Sequence, residues 1–208
     1  VDGVSVGTHF GGTVSFSFDI TRQVNAGRSH DLVVRVKDEI RGNHQPHGKQ
    51  SAAFASHGCS YTRTTGIWQT VWLEAVAPCG LHNIHIMPDL DGSTLSIIPR
   101  YYGTIPGTRL IATARAEGST KARAEVPAAA GVPAILAIED AVPWSPGNPF
   151  LYDLELQVVD PSGDVVDEVR SYAGIRKVHV EGNRVYLNNE PLYQRLVLDQ
   201  GFYPDGIW

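Results

Sequence analysis

Apolar and polar residues alternate with a period of two through most of the chain, the pattern of strands that bury one face. In "VSFSFDI", Phe16, Phe18 and Ile20 share a face, and Ser15, Ser17 and Asp19 take the other. In "DLVVRVKDEI", Leu32, Val34 and Val36 fall together, with Arg35 and Lys37 opposite. "TGIWQTVWLEAV" places Ile67, Val71 and Leu73 with Gln69, and Trp68, Thr70, Trp72 and Glu74 on the reverse. A strand apolar on one face and half aromatic on the other is expected to be covered on both, its two tryptophans supplying buried area.

Turn signals punctuate these runs. Asp2-Gly3 predicts a hairpin turn, because both residues tolerate positive φ. "PDLDGST", "VDPSGDV", "VEGNRV" and "LNNEPL" repeat the signal, and Asn188-Asn189 is suited to a left-handed turn. No segment shows a capped helical stripe. "KARAEVPAAAG" is rich in helix formers but broken by Pro127 and Gly131. The expectation is an all-β protein with a junction near Pro78–Gly80. A run of strands follows from Leu81 to Tyr172, the size of one immunoglobulin-like sandwich. A hairpin then leads into "LYQRLVLDQG".

Composition narrows the classes. With 208 residues, 42% hydrophobic and 19% charged, a packed core is expected and disorder is not. The 21 Gly and 13 Pro favour many short strands. A net charge of −5 argues against nucleic acid or an anionic membrane as partner. No apolar run reaches the roughly 20 residues of a membrane-spanning helix. The first residue is Val1, not Met, which suggests a piece of a longer protein. Cys59 and Cys79 are left open as paired or free. His44, His47 and His57 lie near one another, but no acidic or cysteine partner shares their spacing. No metal or cofactor is expected. Oligomeric state is not readable, and a homo-oligomer is left open.

Four stretches, in order, resemble glycoside hydrolase family 2, which includes beta-galactosidases, beta-glucuronidases and beta-mannosidases. "VDGVSVGTHFGGTVSFSFDIT" is similar to late strands of that family's sugar-binding jelly roll. "YTRTTGIWQTVWLEAV" resembles the strand that closes it. "PWSPGNPFLYDLELQVVD" resembles a strand of the immunoglobulin-like domain. "YAGIRKVHVEGNRVYLNNEPLYQR" resembles the crossing into the catalytic barrel. The resemblance implies part of a jelly roll over 1–79, an immunoglobulin-like β-sandwich over 80–175, and a linking hairpin with the first strand of a (β/α)₈ barrel over 176–208. One departure is Arg195 to Gly201, "RLVLDQG", where common members carry Arg-Gly-Val-Asn.

The resemblance also bounds the chemistry. Retaining glycosidases use two carboxyl groups about 5–5.5 Å apart, and in this family both are glutamates late in the barrel. No catalytic residue is therefore expected within this chain. Asn189-Glu190 looks like the family's Asn-Glu acid/base pair but is read as a turn before Pro191. Candidate substrate contacts are Asp199 and Gln200, at the mouth of the expected first barrel strand, Leu192 to Leu198. Lys49 and Gln50 join them from the long loop "RGNHQPHGKQSAAFASHG", Arg41 to Gly58. Tyr203 and Trp208 are further aromatics suited to stacking on a sugar. The implied partner is a carbohydrate substrate of a beta-glycosidase. The competing expectations are a non-catalytic carbohydrate-binding module using Trp68 and Trp72 as a platform, and a purely structural stack of sandwiches.

Overall fold

A computed structural model describes residues 1–42, 44–46 and 48–198. The described residues are all-β and contain no helix. The described residues divide into two compact units, Glu74–Leu196 and a second made of Val1–Leu73 with Val197 and Leu198.

The larger unit is a sandwich of seven strands carrying a three-stranded extension. One sheet runs β1-β2-β5, from Leu81–Asp89, Thr94–Tyr101 and Ala134–Ala137. The facing sheet runs β4-β3-β6-β7, from Ser119–Pro127, Arg109–Ala116, Tyr152–Val159 and Val165–Ala173. All of these pairs are antiparallel. Period-two alternation decides which side chains meet between the layers. Leu95 and Ile97 face in from β2, Leu110, Ala112 and Ala114 from β3, Leu136 from β5, and Tyr152, Leu154, Leu156 and Val158 from β6. The outer face of the four-stranded sheet is polar. There Glu125 bridges Arg109 and Arg123, and Glu168 pairs with Arg170. The stretch 121–131 is a strand edge and turn rather than a helix, with Ala122, Ala124 and Val126 packed against the core. Asp167 on β7 accepts the Leu81 amide at 2.7 Å, which ties the two sheets together at the start of β1.

Trp144 is where the extension joins the sandwich. Strands β8 (Val178–Glu181), β9 (Arg184–Leu187) and β10 (Glu190–Leu192) form an antiparallel sheet of order β10-β9-β8. The Trp144 amide donates to the Ile175 carbonyl at 2.8 Å. Its carbonyl accepts from Asn188 Nδ2 at 2.9 Å, and the Arg176 guanidinium lies 5.0 Å from its ring centroid. Gly174 packs so closely here that a Cβ on it would stand 3.1 Å from the Trp144 Cβ. The Gly174-Ile175-Arg176 motif thus has a local physical reason: it wraps Trp144. Asn188 and Asn189 have φ of 53° and 67°, the two-residue turn expected of adjacent asparagines between β9 and β10.

Two expectations are corrected. The alternating runs at 14–20, 31–40 and 66–76 form no sheet ladder. Among the described residues of the smaller unit the pairing is limited to isolated bridges, Gln50 with Tyr61 and His57 with Ser60. Leu32, Val34, Val36, Val71 and Leu73 remain exposed, and Trp72 is 70% exposed rather than covered. An apolar face becomes a buried sheet only against a second layer, and the described residues of this unit supply none. The first barrel strand is likewise not seen: β10 ends at Leu192, and 193–198 pair with nothing in a ladder. A barrel strand exists through parallel neighbours on both sides, each reached by a helical crossover, and the described residues contain no helix.

Local order in the smaller unit comes from turns and polar clasps. Asp2 and Gly3 have φ of 49° and 81°, and the Val4 amide closes the turn on the Val1 carbonyl. The Asp2 carboxylate then holds His30 Nδ1 at 2.6 Å and the Asp31 amide at 2.8 Å. Gly66 has a φ of 137° with open space around a notional Cβ, so its backbone angle, not crowding, favours glycine there.

Candidate carbohydrate-binding loop

The segment from Asp38 to Thr65 is irregular but pinned. The Tyr61 amide donates to the Lys49 carbonyl, and the Ser51 amide to the Tyr61 carbonyl, both at 2.7 Å. Ser51, only 1% exposed, holds the turn inside: its hydroxyl donates to the Ala55 carbonyl at 3.0 Å and accepts the Ala53 amide at 3.1 Å. His57 Nδ1 lies 3.2 Å from the same oxygen. This serine–histidine contact locks a turn. The hydroxyl is buried and already engaged in the turn.

Lys49 and Gln50 are recruited to the loop's own structure. Gln50 Oε1 accepts the Thr64 amide at 2.9 Å. Lys49 Nζ lies 5.8 Å from the Tyr61 ring centroid. Neither lines the cavity of about 480 Å³ beside the loop, which is walled by Asp38, Glu39, Arg41, Gly42, Arg63 and Thr65. Asp199 and Gln200, with Tyr203, Trp208 and His47, lie outside the described residues.

Electrostatics distinguish the cavity walls. Glu39 is paired with Lys37 at 2.6 Å, and that hydrogen bond holds the Glu39 carboxyl below its ordinary range and the Lys37 ammonium above its own. Asp38 accepts from Gln45 and from the Thr65 hydroxyl. Arg41 and Arg63 instead sit over one aromatic ring, 4.8 Å and 4.4 Å from the Phe54 centroid. Reading the loop by resemblance missed these two arginines. A charge count finds them, since residues 40–73 contain no Asp or Glu. A second cavity, of about 350 Å³, lies on the sandwich beside Glu117, Lys121, Asp140 and Phe150. There three acids, Glu117, Glu139 and Asp140, outnumber the single cation Lys121.

Nearby, Trp68 Nε1 donates to the Gly12 carbonyl at 2.7 Å, which fixes its indole. Among the described residues no group of three His, Cys, Asp or Glu side chains is arranged to hold a metal ion. Cys59 is exposed, Cys79 is buried, and both thiols are free.

Comparison with known proteins follows the same map. Residues 84–176 match the family model for glycosyl hydrolases family 2. A beta-glucuronidase of Paenibacillus borealis is 25% identical over 93% of this chain and 33% of its own length. A beta-galactosidase of Thermoanaerobacter pseudethanolicus is 25% identical over 94% of this chain and 26% of its own. The crystal structure of Ruminococcus gnavus beta-glucuronidase superposes with a TM-score of 0.46 and 28% identity, over 56% of this chain and 19% of that one. The chain therefore spans between about a quarter and a third of the length of these two curated relatives. The match to glycosyl hydrolases family 2 covers the sandwich, residues 84–176, and the relatives named here align along nearly all of the chain.

Proposed function

We propose that this chain is a non-catalytic portion of a retaining glycoside hydrolase that acts on beta-linked glycosides. The observation that carries the reading is the reach of the alignments. Relatives named beta-glucuronidase and beta-galactosidase match 93% and 94% of the chain, well beyond the sandwich. On this reading Val1 to Cys79 is the later part of a jelly roll, and β1 to β7 are an immunoglobulin-like sandwich. The β8–β10 sheet leads toward the catalytic barrel. The two catalytic glutamates belong to barrel strands of the longer protein. The left-handed turn at Asn188-Asn189 supports reading Asn189-Glu190 as turn chemistry and not as an acid/base pair. Asp199, Gln200, Lys49 and Gln50 are proposed to contribute to the sugar site, Lys49 and Gln50 by shaping the loop.

The test is hydrolysis of a panel of chromogenic beta-glycosides by the longer protein and by the 208-residue chain. The reading expects turnover with retained anomeric configuration from the first and none from the second. A second reading, a carbohydrate-binding module, draws on the exposure of Trp72. It expects sugar-dependent quenching of tryptophan fluorescence in the 208-residue chain, abolished by Trp72→Ala.

A further inference from the structure

The charge around the Asp38–Thr65 loop is unlike that of the rest of the chain. The protein carries a net −5, yet residues 40–73 hold Arg41, Lys49 and Arg63 and no acid. Of the two acids at the cavity wall, Glu39 is paired with Lys37, while Asp38 keeps its charge and accepts hydrogen bonds from the neutral Gln45 and Thr65 side chains. Among the described residues neither Arg41 nor Arg63 has a carboxylate partner within ion-pair distance. Both guanidiniums lie over the ring of Phe54, a residue that is 88% exposed. Stacking uses the flat face of a guanidinium and leaves the N–H donors along its edge available. Arg63 spends one of them, weakly, on the Ala52 carbonyl at 3.4 Å. Two like charges held at one ring repel each other, and an oxyanion beside them would offset that repulsion while accepting their N–H donors.

We infer that Arg41 and Arg63, held on Phe54 beside the 480 Å³ cavity, bind an oxyanion, a carboxylate or phosphate, carried by a sugar ligand. That the anion is part of a sugar rests on the function proposed above. That the site takes an oxyanion does not. Lys49 on Tyr61 adds a third cation to the same loop and raises the local anion concentration without touching the ligand.

The experiment titrates the 208-residue protein with D-glucuronate, glucose 6-phosphate, inorganic phosphate and neutral glucose, at low and high salt. It follows arginine side-chain N–H resonances by NMR. At least one oxyanion sugar is expected to bind about tenfold or more tighter than glucose and to weaken with salt. Glucuronate alone identifies a carboxylate site; glucose 6-phosphate together with inorganic phosphate identifies a phosphate site. Arg41→Gln and Arg63→Gln should each weaken binding about tenfold or more. Arg63→Lys keeps the charge and stem but loses the paired donors, so it should weaken binding too, and an amide NMR spectrum unchanged from the parent protein separates that loss from a failure to fold. Arg22→Gln is the control and should leave binding unchanged. Equal binding of glucose and the oxyanions, or indifference to all three loop variants, overturns the inference. Binding here without glycoside hydrolysis by the longer protein would leave the site standing and sink the function. Hydrolysis without oxyanion binding would do the reverse.

Discussion

Replacing Asn188 separates two contributions at the joint between sandwich and hairpin. Asn188 Oδ1 accepts the Lys177 amide at 3.1 Å, and its Nδ2 donates to the Trp144 carbonyl at 2.9 Å. Both bonds are partly buried. Each contributes about 0.5–1.5 kcal/mol net, so any residue lacking the amide forfeits about 1–3 kcal/mol. The backbone adds a second cost, because φ is 53°. Alanine in that conformation costs roughly 1–2 kcal/mol, whereas asparagine and glycine adopt it readily. Asn188→Ala should therefore destabilise by about 2–5 kcal/mol. Asn188→Gly avoids the strain, though its freedom in the unfolded chain returns about 0.5–1 kcal/mol of that gain. Glycine should come out ahead of alanine by about 0.5–1 kcal/mol. Urea unfolding followed by circular dichroism gives the global values. Hydrogen exchange at the Lys177 and Asn188 amides shows whether the hairpin opens locally. An alanine variant as stable as the glycine variant, with Lys177 protection unchanged, would refute the reasoning.

Other consequences follow from single contacts. Gly174→Ala should destabilise by about 1–3 kcal/mol, since the new methyl must displace Trp144; fluorescence of the tryptophans should shift with it. The Tyr101 hydroxyl is buried with no hydrogen-bond partner among the described residues, and burial pushes its pKa up to about 12. Tyr101→Phe should be neutral or slightly stabilising. The unfolded phenol ionises first, so stability should fall as pH rises from about 10 toward 12, a dependence that Tyr101→Phe removes in alkaline unfolding curves. At the Asp2–His30 clasp, the mutual hydrogen bond lowers the Asp2 carboxyl and raises the His30 imidazole. The His30 contribution is full below its unfolded value of 6.5 and is lost as pH rises through the raised folded value. The Asp2 contribution is present above 3.8 and is lost as pH falls through the lowered one. The clasp should be tightest between these limits, and an NMR titration in which His30 titrates at or below its ordinary value would rule that out.

How much of this was readable beforehand depends on what alternation reports. A period-two run states which face is apolar, and turn residues state where the chain reverses. Together these suffice for the all-β class, for the Asp2-Gly3 and Asn188-Asn189 turns, and for strands across Leu81 to Ala173. There the second layer comes from the same stretch of chain, and Leu95 meets Leu110 and Leu156 in one core. Alternation does not state whether a second layer exists. Phe16, Leu32 and Val71 read like core residues, and the structure leaves them exposed. The loop repeats the lesson in polar terms. Lys49 and Gln50 stood out by position, yet hydrogen-bond geometry assigns Gln50 to the Thr64 amide. Arg41 and Arg63 are 22 positions apart in sequence, and only folding the loop onto Phe54 brings them to one ring. The Gly174 motif, legible as a pattern, acquires its reason only once Trp144 is seen beside it.

The central claim is that these residues are the supporting part of a beta-glycosidase. Its most direct test is a side-by-side hydrolysis assay of the longer protein and the 208-residue chain on chromogenic beta-glucuronide and beta-galactoside substrates, with product anomers followed by NMR. The account predicts turnover with retention from the longer protein and none from the 208-residue chain. Turnover by the 208-residue chain alone, or a longer protein that cleaves no beta-glycoside, would contradict it.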